Sequence, residues 1–253
     1  MAVSTPNPLQ NAKKILRAVD KDHALAIVSV EVSKPILFDQ DYLDRFQDTY
    51  SSHVVNYLQH AIHNDGVMIL CRLWDNSDGA LSIPNLLKEL RRPEVVAAIK
   101  GKRKSALFNI LNGAEIKRMI AEHGEAIRNS IKQKAEKDWE KAEDRIVSSL
   151  AAIQAMNDDT ILKDLRQKIR NWRDKHIAHP LENTRTEIKL AKDGVNIAPP
   201  KWDDSEKLLA ITSKIVAQLL FLVDEVSVDP RPKCEIWKTY SRSFWKSINQ
   251  KPR

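Results

Sequence analysis

Two arginines and two histidines with acid–base potential lie close together in residues 170–180, which read RNWRDKHIAHP. A histidine imidazole titrates near neutrality and can therefore give or take a proton. An arginine guanidinium stays charged and can hold two phosphoryl oxygens at once. Together these groups could cleave RNA without a metal ion, because the 2′-hydroxyl of RNA can itself attack the adjacent phosphate.

The order arginine, polar residue and later histidine occurs twice in this run, and each histidine lies six positions after its arginine. The two sets are Arg173, Asp174 and His179, and Arg170, Asn171 and His176. Because the spacing is the same, it cannot decide between them. The choice depends on where each histidine lies relative to the predicted helix.

The two histidines differ in their predicted surroundings. At about 100° per residue, His176 continues the apolar stripe of the helix before it, so we expect it to be partly buried and structural. His179 comes directly before Pro180, where the chain must leave the helix and a side chain can reach into a cleft. The set that contains His179 is therefore the preferred catalytic set, and the set that contains His176 is the alternative.

Arg173 and His179 would not face each other on a straight helix, because six positions amount to about 600° of rotation. The site therefore needs a distorted helix end, a second protomer, or both. Within it, His179 would act as the acid or base and Arg173 would bind the phosphate. Asp174 either orients one of these two side chains or pairs with Arg170 four positions earlier, and the pairing is favoured.

Basic side chains follow one flank of the predicted motif helix at steps of three or four. Lys163, Arg166, Arg170 and Arg173 form this row, and Lys175 adds a positive charge near its end. We name the first three of these and Lys175 as candidate RNA-binding residues. A solvated helix face is the other explanation for such a row, and the sequence leaves both open.

The composition of the whole chain is consistent with a polyanionic partner. The formal net charge is +7 and the isoelectric point is near 9.3, which favours RNA without identifying it. Cys71 and Cys234 are far apart and lack zinc-site spacing, so we expect reduced thiols in a cytoplasmic protein. No glycine-rich phosphate loop, metalloprotease motif or membrane-spanning apolar stretch occurs, so we expect no cofactor, no metal and no membrane insertion.

Hydrophobic periodicity and the low glycine content, six residues in the chain, predict an all-α fold. We expect a single domain over 1–253, with a loose tail at 1–10 and a docking helix at 233–250. The predicted helices lie at about 11–33, 39–58, 67–74, 82–92, 116–153 (one helix, or two that meet near 124), 160–179, where Pro180 stops the helix, and 203–226. Alternation around Ile188 and Leu190, followed by Asp193-Gly194, predicts one small β-hairpin within 185–201.

The phrase RDKHIAH at 173–179, together with the segments 38–46, 72–75 and 82–90, resembles the abortive-infection (AbiU-type) branch of the HEPN superfamily over most of the chain. The resemblance implies a helical bundle and an endoribonuclease toxin of phage defence. It also implies a homodimer that brings two motif helices to one composite cleft, and a possible cognate antitoxin. Some HEPN domains bind RNA or nucleotides without cleaving them, which is the alternative function.

One position departs from the related toxins that are controlled by nucleotidyltransferase antitoxins. In those toxins a tyrosine lies two places after the motif histidine, and it receives the modification. This chain has Leu181 at the corresponding place. Control by nucleotidylation at that position is therefore not expected.

Overall fold

The computed structural model describes residues 8–39, 44, 51–110, 113–178, 181–194, 196–201, 203–229 and 231–248, and all regular structure in these ranges is helical. The α-helices are α1 (Pro8–Phe38), α2 (Ser51–Leu73), α3 (Ile83–Leu90), α4 (Pro93–Ile110), α5 (Ala114–His123), α6 (Glu125–Asp158), α7 (Thr160–Trp172), α8 (Arg185–Lys192), α9 (Asp204–Asp224) and α10 (Arg231–Ser247). A π-helical segment, Arg173–Ala178, continues α7. None of the described helices combines the length and apolar character needed to cross a bilayer.

Helix α1 lies at the centre of the fold and contacts α2, α3, α4, α9 and α10. The helix predicted at 11–33 is confirmed and is longer than expected, since it begins at Pro8 and ends at Phe38. The loose tail predicted at 1–10 is therefore wrong for residues 8–10, and its residues 1–7 lie outside the described residues. Residues 26–32 are rich in β-branched side chains that would also suit a strand. They are helical because their buried members, including Ala26, Ile27 and Val30, pack on neighbouring helices at helical spacing.

Helix α2 runs without a break from Ser51 to Leu73, where the sequence predicted the end of one helix and the start of another. The reason lies in its packing on α1. A side chain at Gly66 would bring a Cβ atom to 3.3 Å from Ser29 Cβ, so glycine permits the close approach of the two helices. The part of the earlier prediction that falls at 40–43 and 45–50 lies outside the described residues.

Helix α7 carries the motif and is anchored on three neighbours, α2, α6 and α9. It begins after Asp159, whose side chain caps the helix by accepting a hydrogen bond of 3.0 Å from the backbone N–H of Leu162. Its predicted apolar stripe is confirmed, since Leu162, Leu165 and Ile169 are buried. This packing fixes the axis on which the motif residues are displayed.

The predicted β-hairpin at 185–201 is wrong, because residues Arg185–Lys192 form helix α8. A capping box starts this helix: Thr184 Oγ1 accepts from the N–H of Glu187 at 3.1 Å, and the Glu187 carboxylate accepts from the N–H of Thr184 at 2.8 Å. The apolar alternation suggested a strand, but these reciprocal bonds satisfy the first turn of a helix. The Asp193-Gly194 turn exists and follows the helix, with Gly194 at φ +72°.

Two predictions remain, the number of helices in 116–153 and the docking of the C-terminal helix. Gly124, at φ +76°, separates α5 from α6, so the long periodic segment forms two helices. Helix α10, within the docking helix predicted at 233–250, packs on α1 through the buried Ser241 and Trp245, while Tyr240 and Phe244 are exposed. Trp245 can occupy the buried position because its indole N–H donates a hydrogen bond of 2.9 Å to the carbonyl of Val32.

Candidate functional site

The π-helical segment Arg173–Ala178 covers most of the preferred set of motif residues. A π-helical turn is wider than an α-helical turn. Such turns are rare in proteins, and those that occur are often found at functional sites. Beyond the segment, the N–H of Leu181 donates to the carbonyl of Lys175 at 3.0 Å, which ties Leu181 to the helix end. The motif therefore does not lie on a straight helix, which is one of the two conditions that the arginine-to-histidine spacing required.

The predicted burial of His176 is wrong, because the side chain is exposed. Its ring centroid lies 4.1 Å from that of Trp172, with the ring planes tilted by 42°. The wider turn rotates His176 out of line with the buried stripe of α7, where a rotation of 100° per residue would have placed it. Burial therefore no longer separates the two candidate histidines, and His179 lies outside the described residues.

Asp174 pairs with Arg173 and not with Arg170, so the favoured pairing was wrong. The Nε of Arg173 donates to Asp174 Oδ1 at 2.8 Å, and a second guanidinium nitrogen contacts the same oxygen. Burial alone would lower the pKa of Arg173, but the bonds to Asp174 and the nearby carboxylates outweigh it and raise that pKa. The half-buried guanidinium is thus held as a cation in a fixed orientation.

A buried hydrogen-bond network joins Asn171 to the start of α8. The amide of Asn171 donates to Glu187 Oε1 at 2.9 Å, and the hydroxyl of Thr184 donates to the amide oxygen of Asn171 at 2.5 Å. The Nζ atom of Lys175 also lies 3.4 Å from Glu187 Oε1, and the Lys175 side chain is half-buried. Hydrogen bonds to the Glu187 carboxylate, chiefly the one from the Thr184 backbone N–H, lower its pKa. Their effect is larger than that of desolvation, which raises the pKa. The network thus ties Asn171, near the end of α7, to the first turn of α8.

Sequence analysis did not identify Thr184 and Glu187, although the signal was available. The pattern threonine, two residues, glutamate is typical of a helix start. It was overlooked because the apolar alternation that follows suggested a strand. The network also changes the position of Lys175, which lies with Glu187 rather than in the row of Lys163, Arg166 and Arg170.

The row of basic residues lines one wall of a cavity of about 280 Å³ between the end of α2 and helix α7. The predicted common flank is therefore confirmed in its geometry. The Cζ atom of Arg166 lies 4.4 Å from the centroid of the Trp74 ring, a cation–π contact. The cavity is lined by Leu70, Cys71, Trp74, Asp75, Asn76, Lys163, Arg166, Gln167, Ile169, Arg170, Arg173 and Leu208.

The opposite wall of this cavity carries one carboxylate and a buried thiol. Asp75 Oδ1 accepts from the backbone N–H and the hydroxyl of Ser77 at 2.9 and 2.8 Å. These bonds, chiefly the one from the Ser77 backbone, lower the pKa of Asp75, and the charges of Arg170 and Arg173 add to the effect. Burial raises the pKa of Cys71 to about 11, so this thiol is not a nucleophile at neutral pH.

The fold and the site agree with the class expected from the sequence. The described chain is all-helical, as the resemblance to the HEPN superfamily implied, and Arg173 and Asp174 of its motif lie at a distorted helix end beside a basic cavity. The sequence model of the HEPN_AbiU2 family, described as AbiU2, matches residues 9–232, and the chain belongs to this family. No curated protein and no solved structure matches the chain.

Proposed function

We propose that the protein is a metal-independent endoribonuclease, a toxin-like effector of phage defence, which cleaves RNA through Arg173 and His179. The observation that carries the proposal is the π-helical segment Arg173–Ala178, which distorts the helix end at the motif. Membership of the AbiU2 family and the basic cavity beside Arg173 support it. Asp174 holds the guanidinium of Arg173 in place for the phosphate.

The reaction needs one group that removes a proton and one that supplies a proton. A histidine base takes the proton of the 2′-hydroxyl, whose oxygen attacks the adjacent phosphorus. The bond from phosphorus to the 5′-oxygen breaks, and an acid protonates that oxygen as it leaves. The products are a 2′,3′-cyclic phosphate and a 5′-hydroxyl end, and Arg173 stabilises the negative charge that builds on the phosphoryl oxygens.

A homodimer in the cytoplasm suits this chemistry, because each protomer brings one motif histidine and the pair can supply both the base and the acid. The exposed position of His176 and the apolar side chains of Leu181 and Ile188, both exposed near the motif, support an interface on this face. A cognate antitoxin would be expected to cover the same face, since it would then block the cleft.

Product analysis tests the proposed activity. We expect the purified protein to cleave single-stranded RNA in the presence of EDTA and to leave 2′,3′-cyclic phosphate ends, as judged by end-group analysis. Arg173→Ala should lose this activity, and Arg118→Ala, which removes an exposed arginine of α5 outside the cavity, should retain it. RNA that is recovered intact under all conditions would contradict the proposal.

The second candidate function is binding of RNA or a nucleotide without cleavage. It is favoured by the cavity itself, since a wall with several cations can hold phosphates whether or not a bond is broken. The same assay separates the two functions. A protein that retards RNA in a gel and never shortens it is a binding module.

A further inference from the structure

The cavity beside the motif carries more positive charge than its own side chains neutralise. Four cations, Lys163, Arg166, Arg170 and Arg173, line it together with one carboxylate, that of Asp75. Lys163 and Arg173 have acidic partners in Asp158 and Asp174. Within the described part of the chain, no carboxylate lies within salt-bridge distance of Arg166 or Arg170. A cavity with two uncompensated guanidinium groups is suited to an anion.

Arg166 is held at a defined place in this cavity. Its guanidinium lies over Trp74, and the indole N–H of Trp74 donates to the hydroxyl of Thr212 at 2.9 Å. That hydroxyl donates in turn to the carbonyl of Leu208 at 2.7 Å. Burial, followed by the charge of Arg170, lowers the pKa of Arg166, which reflects the cost of burying this positive charge. A cation that is packed in this way is preorganised for a ligand.

The segment that follows α2 contributes a charged hydrogen-bond acceptor to the cavity, the carboxylate of Asp75. Ser77 fixes the Asp75 side chain through its first carboxylate oxygen. Because the carboxylate stays ionised at neutral pH, it can accept hydrogen bonds only. Asn76 and Gln167 add amide groups to the lining, and an amide can both donate and accept. An amino group on a nucleobase is a donor that suits a carboxylate.

The size of the cavity limits the ligand to a small unit. Its volume of about 280 Å³ lies just below the range of roughly 300–1,000 Å³ that is common for small-molecule sites. An RNA helix cannot enter such a space, but one nucleotide can. Cations at one side and an acceptor at the other match the two ends of a nucleotide, its phosphate and the amino edge of its base.

We propose that this cavity is a subsite for one nucleotide of the RNA substrate, whose phosphate binds Arg166 and Arg170 and whose base presents an amino group to Asp75. The inference rests on the proposed function, because Arg173 both lines the cavity and belongs to the cleavage motif. It assigns the subsite a preference for adenine, cytosine or guanine over uracil, which carries no amino group.

The first test is binding, measured with cleavage switched off. Short adenylate, cytidylate and uridylate oligonucleotides are titrated by fluorescence anisotropy against the His179→Ala protein. We expect Arg166→Ala in that background to weaken adenylate binding by about tenfold to a hundredfold. The slope of log affinity against log salt should fall by about 0.7 for the lost phosphate contact. Arg166→Lys should recover part of the affinity, because it keeps the charge but not the two-pronged geometry.

The matched control is Arg118→Ala, which removes the same charge at an exposed position of α5. It should leave the affinity unchanged, and thermal melting curves should show that every variant is folded. Equal affinities for Arg166→Ala and Arg118→Ala would overturn the subsite. If 5′-AMP alone binds as tightly as the oligonucleotide, and its binding depends equally on Arg166, the subsite is supported and its ligand is a free nucleotide.

The second test concerns the base and uses Asp75→Asn. The asparagine keeps an oxygen that can accept the bonds from Ser77, so the loop retains its support. It replaces the other acceptor by a donor, so we expect the preference for adenylate or cytidylate over uridylate to disappear. A preference that is unchanged would exclude Asp75 as its source. Because these are binding measurements, they remain informative if the wild-type protein does not cleave RNA, so the two proposals can fail separately.

Discussion

At the scale of single residues, the structure changes how the two histidines can be distinguished. Replacing a buried His176 would have lowered the stability of the protein, whereas the side chain of His176 is in fact exposed and lies against Trp172. Little buried surface is lost when an exposed side chain is truncated, so such changes usually alter stability by less than about 0.5 kcal/mol. Activity per folded molecule is therefore the quantity that separates the histidines.

If His179 transfers the proton, His179→Ala should lower the cleavage rate by roughly 10²–10⁴-fold, the usual contribution of acid–base catalysis. His176→Ala should retain most of the activity and the wild-type melting temperature. Both rates are measured under single-turnover conditions with the same RNA. The reverse result, an inactive His176→Ala and an active His179→Ala, would assign catalysis to the alternative set that contains Arg170 and Asn171.

At the scale of secondary structure elements, helix α8 and the motif helix are coupled through one buried threonine. Thr184 caps α8 and also donates to Asn171 on α7, and only 2% of its surface is exposed. The bonds at Thr184 and Glu187 hold the chain that follows the π-helical segment. The start of α8 is thus a positioning element for the motif, although it contributes no catalytic group.

Thr184→Ala should destabilise the protein, because it removes a helix cap worth about 1 kcal/mol and leaves the buried Asn171 oxygen without its donor, a further loss of about 1–3 kcal/mol. Urea denaturation measures the change in the free energy of unfolding. The cleavage rate should also fall under conditions in which the variant is fully folded, because the motif segment loses an anchor.

The control is Thr239→Ala, the same change at an exposed position of α10 where the hydroxyl donates to the carbonyl of Glu235 four residues earlier. It should be neutral in both measurements. A Thr184→Ala protein that is as stable and as active as the Thr239→Ala protein would show that the network does not position the motif.

At the scale of the whole molecule, two exposed apolar faces could mediate self-association. One lies near the motif and includes Ile188 on α8, and the other includes Ile236 on α10. The proposed composite cleft requires the first, because it must bring two motifs together. Exposed apolar surface of this kind is a common feature of protein interfaces.

We expect a homodimer in sedimentation velocity, and we expect Ile188→Glu to convert it to a monomer and to abolish cleavage. Ile236→Glu introduces the same charge at a site with similar exposure, about 50% against 53%, and should leave the dimer intact. A dimer that dissociates only with Ile236→Glu would place the interface on α10. A monomer that is fully active at nanomolar concentration would exclude a composite site.

The sequence determined the features that depend on local order along the chain. Helical periodicity predicted the all-α fold and the buried face of α7, and the phrase at 173–179 indicated the AbiU2 family that the family match confirmed. Steps of three or four predicted that Lys163, Arg166 and Arg170 share a flank, and they line one cavity wall. The buried face and the shared flank follow from the rise and rotation of a helix, which are the same wherever the helix lies in the fold.

Only the tertiary structure decided the features that depend on contacts between distant segments. Rotation at 100° per residue cannot anticipate a π-helical turn, so the burial of His176 and the partner of Asp174 were predicted wrongly. The strand expected around Ile188 became a helix whose first turn bonds to Asn171, sixteen positions before Glu187. The cavity formed by Trp74 and Asp75 with α7 depends on how two helices pack, which no spacing within one segment records.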